Sequence, residues 1–355
     1  MNASETTRPD RPVRFPFLNR RQADGPRRVL VYSVGEIMGD GVIRLPFVAA
    51  LRRVFPDARI VWLSEGDTVL ASALRDFTRQ AIDEFHRLDD VAPDGKPGPF
   101  FEQHFDVVID TQLKRRKTLW LRGATRHRTF ISGTWKYLFS TRRPWLGLRR
   151  PAPVIDYFFV LISLAAKRPV PFEPVPLPDP VWEAEARRLL PDGAQYVGFV
   201  PGSGDPAKRW PLERFIALAR EQVAAGRVPV FILGPNETEM EHPVREAVPE
   251  ARFPLQEAVN PHPALTMALG ARLRGTLAGD CGGAHLIAEG GRPLVILYRS
   301  HGVRKKFTPR TARVVALSPE DFSGQEWAPG DIPLPGVRSA LESVLADPAL
   351  AWPAS

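Results

Sequence analysis

Hydrophobic and polar positions along the first half of the chain predict strands that alternate with helices. Residues 29–34 form a short, mostly β-branched apolar run, which is typical of a buried strand. Residues 42–55 follow with apolar positions at helical spacing, and further strands are predicted at 59–63 and 106–110. This alternation favours a parallel sheet that is covered by helices on both faces.

The same alternation returns in the second half, after a proline-rich interruption. Six prolines fall within residues 168–180, and this density predicts a stiff, extended connector. Beyond it, strands are predicted at 196–200, 229–233, 275–278 and 294–298, and helices at 212–225, 264–269 and 284–289. Two doubly wound halves would bind a ligand in the cleft between them, at the carboxyl ends of their strands.

The chain therefore divides into two α/β domains with flanking segments. At 355 residues it is long enough for two domains that each bury a core. The predicted segments are a flexible arm at 1–27, a Rossmann-like domain at 28–168, a proline-rich linker at 169–180, a second Rossmann-like domain at 181–335, and a C-terminal helix and tail at 336–355.

The composition is that of a soluble globular protein and predicts a cytoplasmic location. No apolar run approaches the roughly 20 residues of a membrane-spanning helix, and the longest candidate, 154–166, contains Asp156. Residues 1–28 lack the apolar segment of a secretory signal. The single cysteine, Cys281, excludes an internal disulfide and a multi-cysteine zinc site, and it fits a reducing compartment.

Positive charge is concentrated in one block. Residues 111–150 contain twelve Lys or Arg and no Asp or Glu. The net charge of the whole chain is +8, so the rest of the chain has a net charge of −4. The block opens with Lys114, Arg115, Arg116, Lys117 and Arg122. Such a patch attracts an anionic partner, which on charge alone is a nucleic acid, an anionic membrane or a phosphorylated substrate.

The loop after the first predicted strand contains candidate chemistry. It reads SVGEIMGDG at 33–41, and its glycines would let backbone N–H groups approach a ligand. Their spacing does not fit the dinucleotide fingerprint G-x-G-x-x-G. Asp40 has two interpretations at this stage: the N-cap of the following helix, or a general base that faces the cleft.

Two strand-end loops of the second half suit a phosphorylated ligand. The loop PGSGDPAKRWP at 201–211 is rich in Gly and Ser and carries Lys208, as a phosphate cradle would. The alternative is a solvated Lys208 beside a packing residue, Trp210. Glu237, in the loop GPNE at 234–237, could accept hydrogen bonds from ribose hydroxyls.

A third loop of the second half, GDCGGAH at 279–285, places two glycines at the start of a helix. This pattern suggests an anion at a helix N-terminus. The alternatives are that Asp280 is an N-cap and that His285 is an ordinary polar residue at a helix start.

Taken in order, these loops resemble glycosyltransferase family 9, the heptosyltransferases. The MGD sequence at 38–40, with LP at 45–46, is similar to the family's N-terminal signature. The KRWP sequence at 208–211 resembles its central K-x-W-P motif, and DCGGAH at 280–285 resembles its D-S/T-G-x-x-H motif. The likeness spans roughly residues 28–320.

The resemblance implies a GT-B fold, a nucleotide-diphosphate sugar donor (usually ADP-heptose), inversion at the anomeric carbon, and neither a metal nor a cofactor beyond this co-substrate. It implies Asp40 and Lys208 as catalytic residues, the first as the base and the second stabilising the leaving diphosphate. The donor-binding residues that it implies are Gly39, Ser203, Lys208, Trp210, Glu237 (or Glu239), Asp280, Gly282, Gly283 and His285.

The resemblance also gives the basic block a meaning, since the implied acceptor is an anionic lipopolysaccharide core at the cytoplasmic face of the inner membrane. Trp120, Trp135, Tyr137, Phe139 and Trp145 interleave with the cations, as interfacial docking would require. The alternative is a solvated basic face above core aromatics. No nucleic acid is expected, because no binding motif is present and the charge ends before the second domain.

The sequence departs from the family pattern in two loops. The first loop is one residue longer and includes Glu36, and residues 298–301 replace a Phe-Gly-Pro-Thr segment. His301, Arg304 and Lys305 would then supply positive charge for the donor phosphates. Two alternatives follow: a GT-B transferase with another sugar donor and glycan acceptor, or a catalytically silent sugar-nucleotide-binding protein.

Overall fold

The computed structural model describes residues 25–144, 150–310, 313–323 and 329–346. The arm predicted at 1–27 lies almost wholly outside the described residues, as do Trp145 and Arg149 of the basic block and residues 347–355 of the predicted tail.

The first domain is a five-stranded parallel sheet with strand order β3-β2-β1-β4-β5. Its strands are β1 Arg28–Ser33, β2 Arg59–Ser64, β3 Glu84–Arg87, β4 His104–Asp110 and β5 Arg126–Ser132. Its helices are α1 Met38–Val54, α2 Arg75–Thr78, α3 Leu88–Val91, α4 Arg115–Ala124, α5 Thr134–Tyr137 and α6 Val154–Ala166. Short 3-10 turns cover Val69–Ala71, Pro93–Gly95 and Pro99–Glu102.

The second domain repeats this architecture, with strand order β10-β9-β8-β6-β7 in a parallel sheet. Its strands are β6 Tyr196–Val200, β7 Val228–Phe231, β8 Gly275–Gly279, β9 Leu294–Leu297 and β10 Val314–Leu317. Its helices are α7 Val181–Leu189, α8 Leu212–Ala224, α9 Glu241–Ala247, α10 Pro254–Glu257, α11 Pro263–Arg272, α12 Gly282–Glu289, α13 His301–Phe307, α14 Glu320–Ser323 and α15 Leu334–Leu345. Turns of 3-10 helix cover Pro206–Lys208, Thr238–Met240 and Pro329–Asp331.

The linker and α12 join the two cores. Val170 and Val175 of the linker are buried in the core of the first domain, whereas Leu177 packs against the second. Leu286 of α12 is also buried in the first core. The carboxyl ends of both sheets face this junction, because α1, which follows β1, packs against α12, which follows β8.

Several element boundaries differ from the predicted ones. α1 begins at Met38 rather than at residue 42, so Gly39 and Asp40 are helical. The C-terminal helix begins at Leu334, and its Val337, Leu341 and Val344 are buried in the second core. This helix is therefore packed into the core of the second domain.

Candidate active site between the two domains

Asp40 lies in the first turn of α1, at the carboxyl edge of the first sheet. The N-cap of this helix is Ile37, which makes no side-chain cap hydrogen bond, so the interpretation of Asp40 as an N-cap is wrong. The Asp40 side chain is 44% exposed, and its Oδ1 lies 3.8 Å from Nη1 of Arg44. This carboxylate is accessible from the gap between the domains, where it could accept a proton.

Gly39 of the first domain and Gly282 of the second are in backbone contact. A Cβ atom at Gly282 would lie 3.1 Å from the backbone nitrogen of Gly39 and 2.8 Å from Cγ of Met38. Since the two glycines are the second residue of α1 and the first of α12, two helix N-termini meet here. Their free N–H groups favour an anionic ligand at this place.

Lys208 and Asp280 form an ion pair between the loops that follow β6 and β8. Lys208 Nζ lies 3.7 Å from Asp280 Oδ2, and the side chains are 35% and 10% exposed. Burial raises the pKa of Asp280, and the charges of Lys208 and Arg299 oppose this increase. The charge of Asp40 also raises the pKa of Asp280. Gly39 and Gly282, which lie beside these carboxylates in sequence, are in contact, so both carboxylates border the same gap.

The structure does not agree with the alternative interpretations, in which Asp280 is an N-cap and Lys208 is a solvated lysine. The N-cap of α12 is Cys281 without a side-chain cap hydrogen bond, so Asp280 is not a cap. Lys208 is not a fully solvated lysine, because it is two-thirds covered and paired with a buried carboxylate.

Two glycines leave room for Glu237 at the carboxyl edge of the second sheet. A Cβ atom at Gly202 would lie 2.5 Å from Glu237 Cγ, and one at Gly234 would lie 2.6 Å from its Oε2. The carboxylate thus lies against the loops that follow β6 and β7. Glu239 is exposed, and its Oε1 lies 3.4 Å from Nη1 of Arg209. Glu237, and not Glu239, therefore lies at the strand ends, where a ribose ligand is expected.

Ser203 and Trp210 flank Lys208 in sequence, but both are buried. Ser203 is 4% exposed, and its hydroxyl accepts a hydrogen bond from the N–H of Asp205 at 3.4 Å. Trp210 is 1% exposed and donates its indole N–H to the Ile332 carbonyl at 3.0 Å. Trp210 therefore corresponds to the packing alternative: its ring fixes the loop that carries Lys208 and does not face the gap.

His285 borders a separate cavity between the domains. This cavity has a volume of about 30 Å³ and is also lined by Ile43 of α1, Phe172 of the linker and Glu289 of α12. Burial lowers the pKa of His285 to about 4. Burial therefore favours the uncharged imidazole, which argues against His285 as a cation for the diphosphate.

The loop after β9 places Arg299 near enough to Asp280 for its charge to oppose the increase in the pKa of that carboxyl. α13 begins at His301, and Asp321 accepts hydrogen bonds from Nε2 of His301 at 2.9 Å and from Nη1 of Arg304 at 2.7 Å. Lys305 lies on the same short helix and is exposed. Asp321 thus engages the side chains of His301 and Arg304, whereas the charge of Arg299 acts on the carboxylate of Asp280. Its position directly after a buried strand was the signal that sequence analysis overlooked.

The basic block divides between the two edges of the first sheet. Residues 114–117 stand at the start of α4, at the carboxyl edge, where Lys117 Nζ lies 3.5 Å from Glu65 Oε2. Arg122 lies farther along α4 and donates a hydrogen bond to the Phe139 carbonyl. The first four cations of the predicted patch therefore share an edge with the N-terminus of α1, whereas Arg122 is engaged locally.

An exposed apolar group accompanies these cations. Trp135 is 56% exposed and Leu113 and Leu138 are 44% and 46% exposed, while Arg115 Cζ lies 4.3 Å from the centroid of the Trp135 indole. Trp135 and Tyr137 have left-handed φ values of 50° and 65°, which are rare outside glycine. The backbone turns Tyr137 into the core at 1% exposure and Trp135 outward. The aromatics are thus divided between core and surface.

A buried carboxyl that the sequence analysis did not single out supports this edge. Asp110 ends β4 and is fully buried, and it accepts hydrogen bonds from the hydroxyls of Thr118 at 2.6 Å and Ser132 at 2.9 Å. The N–H of Gln112 donates to it as well, at 2.9 Å. Burial raises the pKa of Asp110 to about 6. These bonds tie the start of α4 to the ends of β4 and β5.

Solved structures share this architecture over nearly the whole chain. Glycosyl transferase family 9 from Veillonella parvula DSM 2008 has a TM-score of 0.64 at 20% identity, with 90% of this chain and 97% of that chain covered. E. coli ADP-heptose lps heptosyltransferase II has a TM-score of 0.58 at 18% identity, with 90% of this chain and 98% of that chain covered. E. coli heptosyltransferase WaaC with ADP-2-deoxy-2-fluoro heptose has a TM-score of 0.59 at 16% identity, with 89% of this chain and 99% of that chain covered. At these identities the likeness shows the fold, which is the GT-B fold of glycosyltransferases.

The second half of the chain matches a family model. Residues 171–325 match the family model described as glycosyltransferase family 9 (heptosyltransferase). The motifs at 208–211 and 280–285 lie in this segment, so the resemblance drawn from them is confirmed, and the chain carries a glycosyltransferase family 9 domain. The domain with Asp40 precedes the matched segment and shares the fold. No curated protein sequence is significantly similar to this chain.

Two features are absent from the residues that the structure describes. None of the helices that the structure describes is both long and apolar enough to span a bilayer. Within the same residues, no three His, Cys, Asp or Glu side chains are grouped as ligands of a metal ion would be.

Proposed function

We propose that this protein transfers a sugar from a nucleoside-diphosphate donor to a lipopolysaccharide core-type acceptor, with inversion at the anomeric carbon and no required metal. The donor is proposed to be ADP-heptose, and the site of action the cytoplasm. One observation carries the proposal: the exposed Asp40 carboxylate borders the same gap between the domains as the Lys208–Asp280 pair.

The proposed reaction is a single displacement. Asp40 accepts the proton of an acceptor hydroxyl, whose oxygen attacks the anomeric carbon as the bond to the diphosphate breaks. Inversion follows because the nucleophile enters opposite the leaving group. General-base catalysis of this kind contributes about 10²–10⁴-fold to a rate.

Negative charge develops on the departing diphosphate, and the gap has positive groups to meet it. Lys208 and Arg299 are the cations that act on Asp280 there. The free N–H groups at the start of α12 add the positive end of a helix dipole. Asp280 orients the Lys208 ammonium, and Glu237 would bind the ribose hydroxyls of the same nucleotide.

The experiment is a donor screen followed by a transfer assay. Donors that raise the melting temperature are incubated with truncated core oligosaccharides, with and without EDTA, and the anomeric configuration of the product is read by NMR. Heptose transfer with inversion supports the proposal. Transfer from another donor identifies a different GT-B specificity, and sugar-nucleotide binding without turnover identifies a silent binding protein.

The proposed base is tested in the same assay. Asp40→Asn should lose about 10²–10⁴-fold in kcat and keep the melting temperature, because its side chain is partly exposed. Asp57→Asn is the matched control, since Asp57 is an exposed aspartate in the turn after α1. Normal turnover of Asp40→Asn would refute the assignment.

We further propose that the edge formed by residues 113–117 and Trp135 binds the anionic acceptor at the membrane surface. Three observations support this: adjacent cations, exposed apolar side chains between them, and the outward indole beneath Arg115. Amphipathic aromatics and Arg or Lys are the residues that favour a bilayer interface with anionic lipid.

Vesicle sedimentation tests this surface. Binding should require anionic lipid, weaken as salt increases, and fall several-fold in Trp135→Ala and in Arg116→Gln. Val259→Ala and Arg187→Gln, which alter exposed residues of the second domain, are the controls. Binding that ignores both lipid charge and salt would count against a membrane role.

A further inference from the structure

A buried ion pair lies directly behind Asp40. Arg44 follows Asp40 by one helical turn, and its side chain is only 9% exposed. Its Nε lies 3.3 Å from Oε1 of Glu36, whose side chain is completely buried. An arginine at this spacing on a surface helix would be solvated and mobile, whereas this one is enclosed with a counter-ion.

The guanidinium is fixed from several sides. Its Nη1 donates to the Asp40 carbonyl at 2.9 Å and lies 3.8 Å from the Asp40 Oδ1, and its Cζ lies 4.9 Å from the centroid of the Phe158 ring. Glu36 is itself anchored, because its carboxylate accepts a hydrogen bond from the Thr68 hydroxyl and its carbonyl accepts one from Val69 N–H. The chain Thr68–Glu36–Arg44–Asp40 thus runs from a rigid turn to the exposed carboxylate.

We propose that Arg44 is a positioning residue for the reaction: held by Glu36, it orients the Asp40 carboxylate toward the gap. One carboxylate oxygen faces the guanidinium, which leaves the other to accept the acceptor proton. Glu36, in the loop after β1, supplies the charge that a buried arginine requires. This inference rests on the proposed role of Asp40.

Buried ion pairs are also purely structural elements, so the test separates stability from turnover. Removing one partner leaves an unpaired buried charge, and both Arg44→Gln and Glu36→Gln should melt at lower temperature. The double variant Glu36→Gln/Arg44→Gln removes both charges and should recover most of the melting temperature. Its kcat should nevertheless stay about 10- to 100-fold below wild type with an unchanged donor KM, because misorientation of a catalytic group costs rate.

A conservative variant gives an independent measurement. Arg44→Lys keeps the charge but has one ammonium in place of a forked guanidinium, so it cannot hold Glu36 and the Asp40 oxygens together. We expect a folded protein whose kcat falls about tenfold. Arg53→Gln, on the exposed part of the same helix, is the control that should keep full turnover.

A double-mutant cycle with Asp40→Asn distinguishes this inference from the proposed function. If Arg44 acts through Asp40, Arg44→Lys has no further effect on the residual turnover of Asp40→Asn. Recovery of full kcat by the neutral double variant, or full turnover of Arg44→Lys, overturns the inference alone. Full turnover of Asp40→Asn overturns the proposed base instead.

Discussion

Gly39 and Gly282 touch across the boundary between the two domains, and the contact is asymmetric. A Cβ atom at Gly39 would lie 3.7 Å from Cα and N of Gly282, which is an ordinary van der Waals separation. The reciprocal Cβ atom at Gly282 would lie within 2.8 Å of Met38 Cγ. The second glycine is therefore the one that sets how closely α12 approaches α1.

Gly282→Ala should lower turnover more than Gly39→Ala. The added methyl group has to displace Met38 or move α12 by a few tenths of an ångström, and this shifts Asp280 relative to Asp40. Because small misplacements of reacting groups are costly, we expect a loss of about 10-fold or more in kcat. Steady-state kinetics of both variants check this, and equal losses would show that the spacing of the helices is not what matters.

Gly234→Ala should weaken donor binding without unfolding the protein. Its Cβ atom would lie 2.6 Å from Oε2 of Glu237, and the next nearest atom is 3.8 Å away, so only a flexible carboxylate has to move. Loss of a hydrogen bond to a charged group costs about 1.5–3 kcal/mol, which corresponds to a donor Kd increased at least about tenfold.

Calorimetry with the donor identified above measures this effect. Gly204→Ala is the matched control, because no atom lies within 4 Å of a Cβ at that position in the neighbouring loop. An unchanged donor Kd in Gly234→Ala would remove Glu237 from the list of ribose ligands.

Lys208→Met should make stability more dependent on pH. Burial already raises the pKa of Asp280, and removing the Lys208 charge that opposes this increase raises it further. A raised carboxyl pKa favours the folded state at low pH, and that contribution is lost as the pH rises through the folded-state pKa. The variant should therefore lose stability relative to wild type from about pH 4 upward.

Lys208→Met should lose about 1–2 kcal/mol in the free energy of unfolding relative to wild type. This is less than for a fully enclosed ion pair, because the Lys208 side chain is 35% exposed. Denaturant titrations between pH 4 and pH 8 measure it. Adding Asp280→Asn to Lys208→Met should abolish the pH dependence of this stability loss. If the loss still depends on pH in the double variant, a group other than Asp280 is responsible.

The fold was predictable where strands are continuous apolar runs between turn residues. β2, β4 and β6 each have five buried positions, and the predicted bounds agree with the observed ones to within two residues at each end. β5 was missed because it opens with Arg126, His127 and Arg128, and only its second half is buried. An edge strand needs fewer apolar residues, so periodicity indicates it poorly.

The site was predictable as a set of loops but not as a set of side chains. The rule that carboxyl ends of parallel strands converge brought the loops of Asp40, Lys208, Glu237 and Asp280 together correctly. Orientation depends on packing partners far away in sequence. Trp210 turns inward because the Ile332 carbonyl, 122 residues away, accepts its N–H. No local pattern carries that information.

Asp110→Asn should change the pH dependence of the first domain. Burial raises the pKa of Asp110 from its usual value of 3.8 to about 6, so the folded state binds the proton more tightly than the unfolded state does. That contribution to stability is complete below pH 4 and is lost as the pH rises through 6. Asparagine cannot ionise, so the free-energy difference between the two proteins should shift in favour of the variant by about 2–3 kcal/mol between pH 4 and pH 7.

Hydrogen exchange of the β4 and β5 amides measures this locally, with Asp57→Asn as the exposed control. Parallel pH profiles for wild type and variant would mean that Asp110 ionises as readily inside the fold as outside it.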